Sequence, residues 1–231
     1  IASAQISTIK TQLYAGKAIT PSVTVTLNGK KLKKGTDYTV SYANNTKAGS
    51  TASVIITGKG KYVGIATKDF EIAAIPAKGK VYTAGNLKYK VTKSAYKNGT
   101  VNVYAPVKKT LTSVSIPATV KINGYTFQVT AIGNKAFAGC TKLQNIELPD
   151  RLKVLESHIF NGCTSLEEFQ FSKAIQNIKE DAFKDCTKLK YLVIPDSVTK
   201  IGEEAFQGCK GLEYIKLSRN IEVLRDQTFM N

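Results

Sequence analysis

Four cysteines set at a constant interval constrain this chain more than any other feature. Cys140, Cys163, Cys186 and Cys209 follow one another at steps of 23 residues. Six further columns keep the same step without an insertion. Phe137, Phe160, Phe183, Phe206 and Phe229 form one, and Leu143, Leu166, Leu189 and Leu212 another. Ile146, Phe169, Leu192 and Ile215 form a third, and Leu148, Phe171, Ile194 and Leu217 a fourth. Val129, Leu152, Ile175, Val198 and Ile221 make the fifth, and Ile132, Leu155, Ile178, Ile201 and Leu224 the sixth. Self-similarity of this kind marks an array of short units, each too small to bury its own apolar face and therefore obliged to stack on its neighbours.

Each unit reads as one coil. In Leu143–Leu148 the apolar residues Ile146 and Leu148 alternate with polar ones, the pattern of a strand with one buried face. In Ile132–Cys140 the apolar spacing lengthens, which predicts a short helical or 3-10 turn on the opposite side. Pro149 and Pro195 fall just past the strand, where a missing N–H does little harm. Stacked strands would run parallel at a spacing of ~4.8 Å.

The run Ile201-Gly202-Glu203-Glu204-Ala205-Phe206-Gln207-Gly208-Cys209-Lys210-Gly211-Leu212, with its equivalents from Ile132 and Ile178, resembles the BspA-type (Treponema-type) leucine-rich repeat of bacterial surface proteins. The likeness covers residues 129–231. The second coil departs from it, with Ser157-His158-Ile159 and Phe171 at positions filled differently elsewhere. The resemblance implies secretion or cell-surface display and a part in adhesion or protein binding; it names no ligand.

Residues 1–75 read as short strands with turn punctuation. Val23–Leu27 followed by Asn28-Gly29 is a hairpin signal, and Tyr38–Tyr42, Ser53–Thr57 and Thr67–Ile72 read as further strands. The pattern Tyr14-Ala15-Gly16-Lys17, Asp37–Tyr42, Gly58-x-Gly60-x-Tyr62-x-Gly64 and Phe70-x-Ile72 resembles the small immunoglobulin-like modules carried by bacterial surface proteins, which implies a compact β-sandwich. Residues 76–80 form the expected linker. Residues 81–128 hold further strands and are assigned to an N-terminal β cap over the apolar end of the stack. The expected organisation is therefore mainly β with short helical turns: a sandwich (1–75), a linker (76–80), a cap (81–128) and a leucine-rich-repeat solenoid (129–231). Because Asn231 falls inside a fifth coil, the native chain is expected to continue.

Charge is distributed unevenly. The formal net charge is +16, and residues 79–131 contain eight lysines and no acid. The last hundred residues carry as many acidic as basic side chains. A lysine field attracts polyanions over a Debye length of ~8 Å at physiological salt. All three arginines, Arg151, Arg219 and Arg225, lie in the neutral part, so base-edge readout through guanidinium forks is not expected. An anionic glycan or wall polymer fits the lysines better. No stretch approaches the ~20 apolar residues of a membrane span.

Catalytic and metal chemistry find little footing. A thiol column rising one coil at a time cannot converge on a tetrahedral metal, and the four cysteines are expected as structural core thiols. His158, the single histidine, shares its column with Lys135, Asp181 and Glu204, a set expected to face solvent without a fixed partner. Adjacent acids such as Glu167-Glu168 and Glu203-Glu204 read as solvated charges. No cofactor is implied.

The candidate site is the outward face of the strands. Asn145, Glu168, Tyr191 and Tyr214 form one outward column, and Glu147, Gln170, Val193 and Lys216 the next. Tyrosines on a rigid sheet offer contact area at small entropic cost. The expected role is adhesion or protein binding through Tyr191, Tyr214, Val193, Lys216, Asn145, Glu168 and Gln170, toward a host or bacterial surface protein. The alternative is attachment to a cell wall or anionic glycan through the lysine-rich N-terminal half.

Overall fold

The structure, a computed structural model, describes residues 1–230. It divides into two compact units: residues 1–76 with Ala95–Lys97 and Asn123–Tyr125, and the remainder. The regular structure of the described residues is entirely β-strand.

In the first unit β1 (Gln5–Ile6), β2 (Val25–Leu27) and β3 (Lys30–Lys31) form one antiparallel sheet. The strands β4 (Tyr38–Ala43), β5 (Thr51–Gly58) and β6 (Ile65–Glu71) form a second. The Asn28-Gly29 pair has positive φ at both residues, 48° and 76°, which gives a two-residue hairpin the twist its strands need. Strand β5 alternates, turning Ala52, Val54 and Ile56 fully inward against Tyr38 and Phe70. Its last residue must be glycine for a steric reason: a Cβ on Gly58 would sit 1.4 Å from the Tyr62 carbonyl oxygen.

The second unit opens with β7 (Val81–Ala84), β8 (Leu87–Lys93) and β9 (Gly99–Pro106), continues through β10 (Ser113–Ser115) and β11 (Thr119–Ile122), and reaches β12 (Tyr125–Ile132). Five of these make a sheet in the order β11-β12-β9-β8-β7. The β7–β8 and β8–β9 pairs are antiparallel, but β12 runs parallel to β9. Strand β10 likewise runs parallel to β13 (Asn145–Glu147), Ser113 opposite Asn145. Parallel stacking thus begins at β9, upstream of Val129, where the regular columns start.

The coils then follow two stacks of strands. On one side β14 (Val154–Leu155), β15 (Asn177–Ile178), β17 (Lys200–Ile201) and β19 (Val223–Leu224) pair in parallel, with Val154 opposite Asn177, Asn177 opposite Lys200, and Lys200 opposite Val223. Every partner stands 23 residues further along. On the other side β16 (Tyr191–Val193) pairs in parallel with β18 (Tyr214–Lys216). Between them the column residues close the interior: Leu143, Leu166, Leu189, Phe160 and Phe183 have no exposed surface. The phenylalanine rings stack from coil to coil, at centroid distances of 5.9, 5.3, 5.3 and 5.4 Å from Phe137 to Phe229.

The expected helical turn in Ile132–Cys140 is not a helix. Its amides alternate between two destinations. Those of Ala136, Ala138 and Cys140 donate three residues back, to Gly133, Lys135 and Phe137. Those of Lys135, Phe137 and Gly139 donate across to the next coil, at Ser157, Ile159 and Asn161. An α-helix would direct all of them along its own axis. Left-handed φ at Lys135 (59°) and Gly139 (70°) breaks the helical path twice. The helix-like spacing in the sequence is the spacing of these turns.

Candidate functional site

The outward sheet face is built by strand alternation. Ile146, Phe169 and Leu192 point inward, with at most 6% exposure, so the residues flanking each of them point to solvent. Asn145, Glu147, Glu168, Gln170, Tyr191, Val193, Tyr214 and Lys216 are all exposed. The face is nevertheless in two parts. Among the described residues, strands β10 and β13 form one sheet and β16 and β18 another, and the second coil meets β16 through an isolated bridge from Glu168 to Tyr191 without pairing with β13. This interruption coincides with Phe169 and Phe171, two rings 4.8 Å apart where other coils carry aliphatic side chains.

The two parts differ in chemistry. The first holds a cleft of about 490 Å³ lined by Asn145, Glu147, Asp150, Glu168, Gln170 and Phe171. It is polar and acidic. The second is aromatic. Tyr191 lies directly opposite Tyr214, and Val193 opposite Lys216. Tyr191, Val193 and Tyr214 are 51%, 57% and 52% exposed, so large apolar surface stands in water on a hydrogen-bonded frame. The Tyr191 hydroxyl donates to Glu213 Oε2 at 2.8 Å, and that carboxylate pushes the phenol pKa up. The Tyr191 ring is thereby tethered before any partner arrives, which lowers the ordering cost of binding. Glu213 was not visible as part of this site, because it neighbours Tyr191 across coils and not along the chain.

The His158 column departs from expectation. Lys135, His158, Asp181, Glu204 and Gln227 all have left-handed φ, between 52° and 59°. His158 and Asp181 are half-buried, and His158 Nε2 lies 3.1 Å from Asp181 Oδ2. Lys184 pairs with both Asp181 and Glu204, and its ammonium holds the Glu204 carboxyl below the usual range. The column is therefore a polar ladder climbing the turns, and the histidine has a partner. The detectable signal was the absence of any β-branched residue at this position, since left-handed backbone excludes them.

His158, Glu180 and Asp181 also bring one ligand atom each within 4.8 Å of one another. The donor set fits a hydrogen-bonded ladder better than a metal. Nδ1 of His158 is enclosed without a partner. A cation on Nε2 would force the ring proton onto Nδ1, where nothing accepts it.

The four thiols are free and fully enclosed. Cys163, Cys186 and Cys209 donate to the carbonyls of Phe137, Phe160 and Phe183 at 3.1–3.2 Å, each reaching back into the preceding coil. Burial raises the pKa of Cys163 and Cys209 to about 12. Thiols so protonated and enclosed are poor nucleophiles and poor metal ligands.

Comparison with known proteins bears on this geometry. The BspA type leucine rich repeat region matches residues 99–231 in six copies. No curated protein matches the chain. Among solved structures, a leucine-rich repeat protein from Bacteroides ovatus is 30% identical, with a TM-score of 0.52, over 64% of this chain and 44% of its own. One from Bacteroides capillosus is 28% identical, with a TM-score of 0.50, over 58% of this chain and 96% of its own. A leucine rich cell surface protein from Faecalibacterium prausnitzii is 31% identical, with a TM-score of 0.48, over 60% of this chain and 40% of its own. The chain thus spans less than half the length of the first and third of these. Parallel stacking from β9 onward agrees with the start of the family match at residue 99. The chain belongs to the BspA-type leucine-rich-repeat family.

Proposed function

We propose that this chain is a non-enzymatic binding module, displayed at the bacterial surface or secreted, that engages a protein partner through the aromatic part of its outward sheet face. The observation that carries the proposal is the pair Tyr191 and Tyr214, opposite one another on parallel strands and half exposed, with Val193 alongside. Interfaces draw their energy from a few aromatic anchors in a rigid setting, ringed by polar groups. Glu168, Gln170 and Lys216 supply the rim, and Asn145 belongs to the neighbouring cleft. Membership of a repeat family typical of bacterial surface proteins supports an extracellular location and a binding role. The first unit, with its two small antiparallel sheets, acts in this reading as an immunoglobulin-like spacer.

The test is a protein array carrying host and bacterial extracellular proteins, probed with the labelled chain. The Tyr191→Ser/Tyr214→Ser variant should keep its thermal midpoint and lose about tenfold or more in affinity for the proteins that the unaltered chain binds. Equal binding by both forms would remove this patch from the reading.

A further inference from the structure

The geometry points to a second binding surface: the open face of the five-stranded sheet β11-β12-β9-β8-β7 takes a linear anionic polysaccharide. The closed face of that sheet is settled. Leu87, Tyr89, Val91, Val101, Val103 and Phe127 form core and none is more than 2% exposed. Strand alternation then sends the intervening residues outward, and those are basic and hydrogen-bonding. Strand β8 presents Lys88, Lys90 and Lys93. Lys88 and Lys90 stand two residues apart, ~6.8 Å along an extended strand.

The rows across the sheet extend this character. Lys93 lies opposite Thr100, and Thr100 opposite Gln128. Gln128 Oε1 accepts from Arg151 at 2.7 Å, so the row ends as it begins, on a cation. One row over, Lys90 lies opposite Asn102. No acidic residue occurs between Glu71 and Glu147, so none of the five strands brings a carboxylate to this face. Glu156 stands only at its far edge, beside Arg151 and Lys153. Among the described residues Lys88, Lys90, Lys93 and Arg151 form no ion pair, so their charge is unspent within the protein.

The groups between the cations select the polymer. Thr100, Asn102 and Gln128 carry hydroxyls and amides that both donate and accept, as sugar hydroxyls do. Tyr104 is the extra residue of a β-bulge, between the Lys88–Ala105 and Tyr89–Val103 pairs, and is 52% exposed. A single outstanding ring suits the face of a pyranose. A nucleic acid would call for guanidinium forks and a run of stacking rings, and the five strands hold no arginine. The face is distinct from the Tyr191/Tyr214 patch, so either can fail without the other.

The test measures binding of the intact chain to an immobilised heparin dodecasaccharide at 50 mM salt. The Lys88→Gln/Lys90→Gln/Lys93→Gln variant should lose about tenfold or more in affinity, with its thermal midpoint checked alongside. The Lys10→Gln/Lys30→Gln/Lys31→Gln variant, of equal net charge, should bind within about twofold of the unaltered chain. The single reversal Lys90→Glu should weaken binding on its own. A single-stranded DNA oligonucleotide should compete poorly. Equal losses from both triple variants would reduce the effect to net charge and overturn the assignment. So would competition by DNA as strong as by the oligosaccharide, binding by anionic lipid vesicles in preference to the glycan, or no binding at 50 mM salt.

Discussion

Five residues of differing chemistry occupy one strained backbone position. Lys135, His158, Asp181, Glu204 and Gln227 all sit at left-handed φ, which costs a side-chain-bearing residue ~1 kcal/mol. Asp181 and Glu204 offset it by pairing with Lys184, Asp181 within its own coil and Glu204 across to the next. Lys135 forms no ion pair among the described residues, so Lys135→Gly should stabilise the chain by about 0.5–1 kcal/mol in denaturant unfolding, whereas Lys135→Ala should not. In the sequence the strain showed only as the absence of β-branched residues from this column, because polar residues of every charge fill the position. The thiol column was legible, because an interior repeated in every coil must be filled by the same small apolar group. Its protonation has a direction in pH. An unfolded cysteine loses its proton near its ordinary 9.0, and folded Cys163 and Cys209 hold theirs to about 12. The folded state binds more protons across that interval, so the thiol contribution is complete below pH 9 and falls as pH rises, by ~1.4 kcal/mol per unit per thiol. Cys163→Ala/Cys209→Ala should flatten the decline in unfolding free energy between pH 8 and 10.5 relative to the unaltered chain.

At the scale of elements, the turn side carries the stacking. Half of its amides close local turns and half bridge to the next coil, and the same alternation recurs in the second coil, where His158, Phe160 and Gly162 donate to Glu180, Ala182 and Lys184. Sequence spacing alone does not separate this from a helix, since both place apolar groups three and four residues apart. What separates them is where the amides go, and that is fixed by the neighbouring coil. The stacked strands upstream of Val129 were illegible for a different reason. From β9 to β12, Gly99 lies opposite Phe127, and from β10 to β13, Ser113 lies opposite Asn145, so neither loop keeps the 23-residue step. The phenylalanine stack is the element most exposed to a single change. Phe183 touches Phe160, Phe169 and Phe206, at 5.3, 4.7 and 5.3 Å. Phe183→Ala should cost about 3–5 kcal/mol in chemical denaturation. A loss under ~1 kcal/mol would mean that the coils do not share this interior.

For the whole molecule, the division of charge and the division of surfaces belong to one design. The coil face with Tyr191 and Tyr214 lies in the charge-balanced part, and what it offers a partner is exposed apolar area rather than net charge. The lysine-bearing sheet lies where acids are missing. The outward columns could be read from the period alone; the break at the second coil could not, because it coincides with Phe169 and Phe171, whose packing against Phe183 the period does not specify. The most direct test of the central claim is hydrogen exchange by mass spectrometry on the chain, free and bound to the protein that binds it most tightly on the array. The account predicts slowed exchange on binding at residues 191–193 and 214–216, with the phenylalanine turns unchanged. Protection confined to residues 81–131, or spread evenly over the chain, would contradict it.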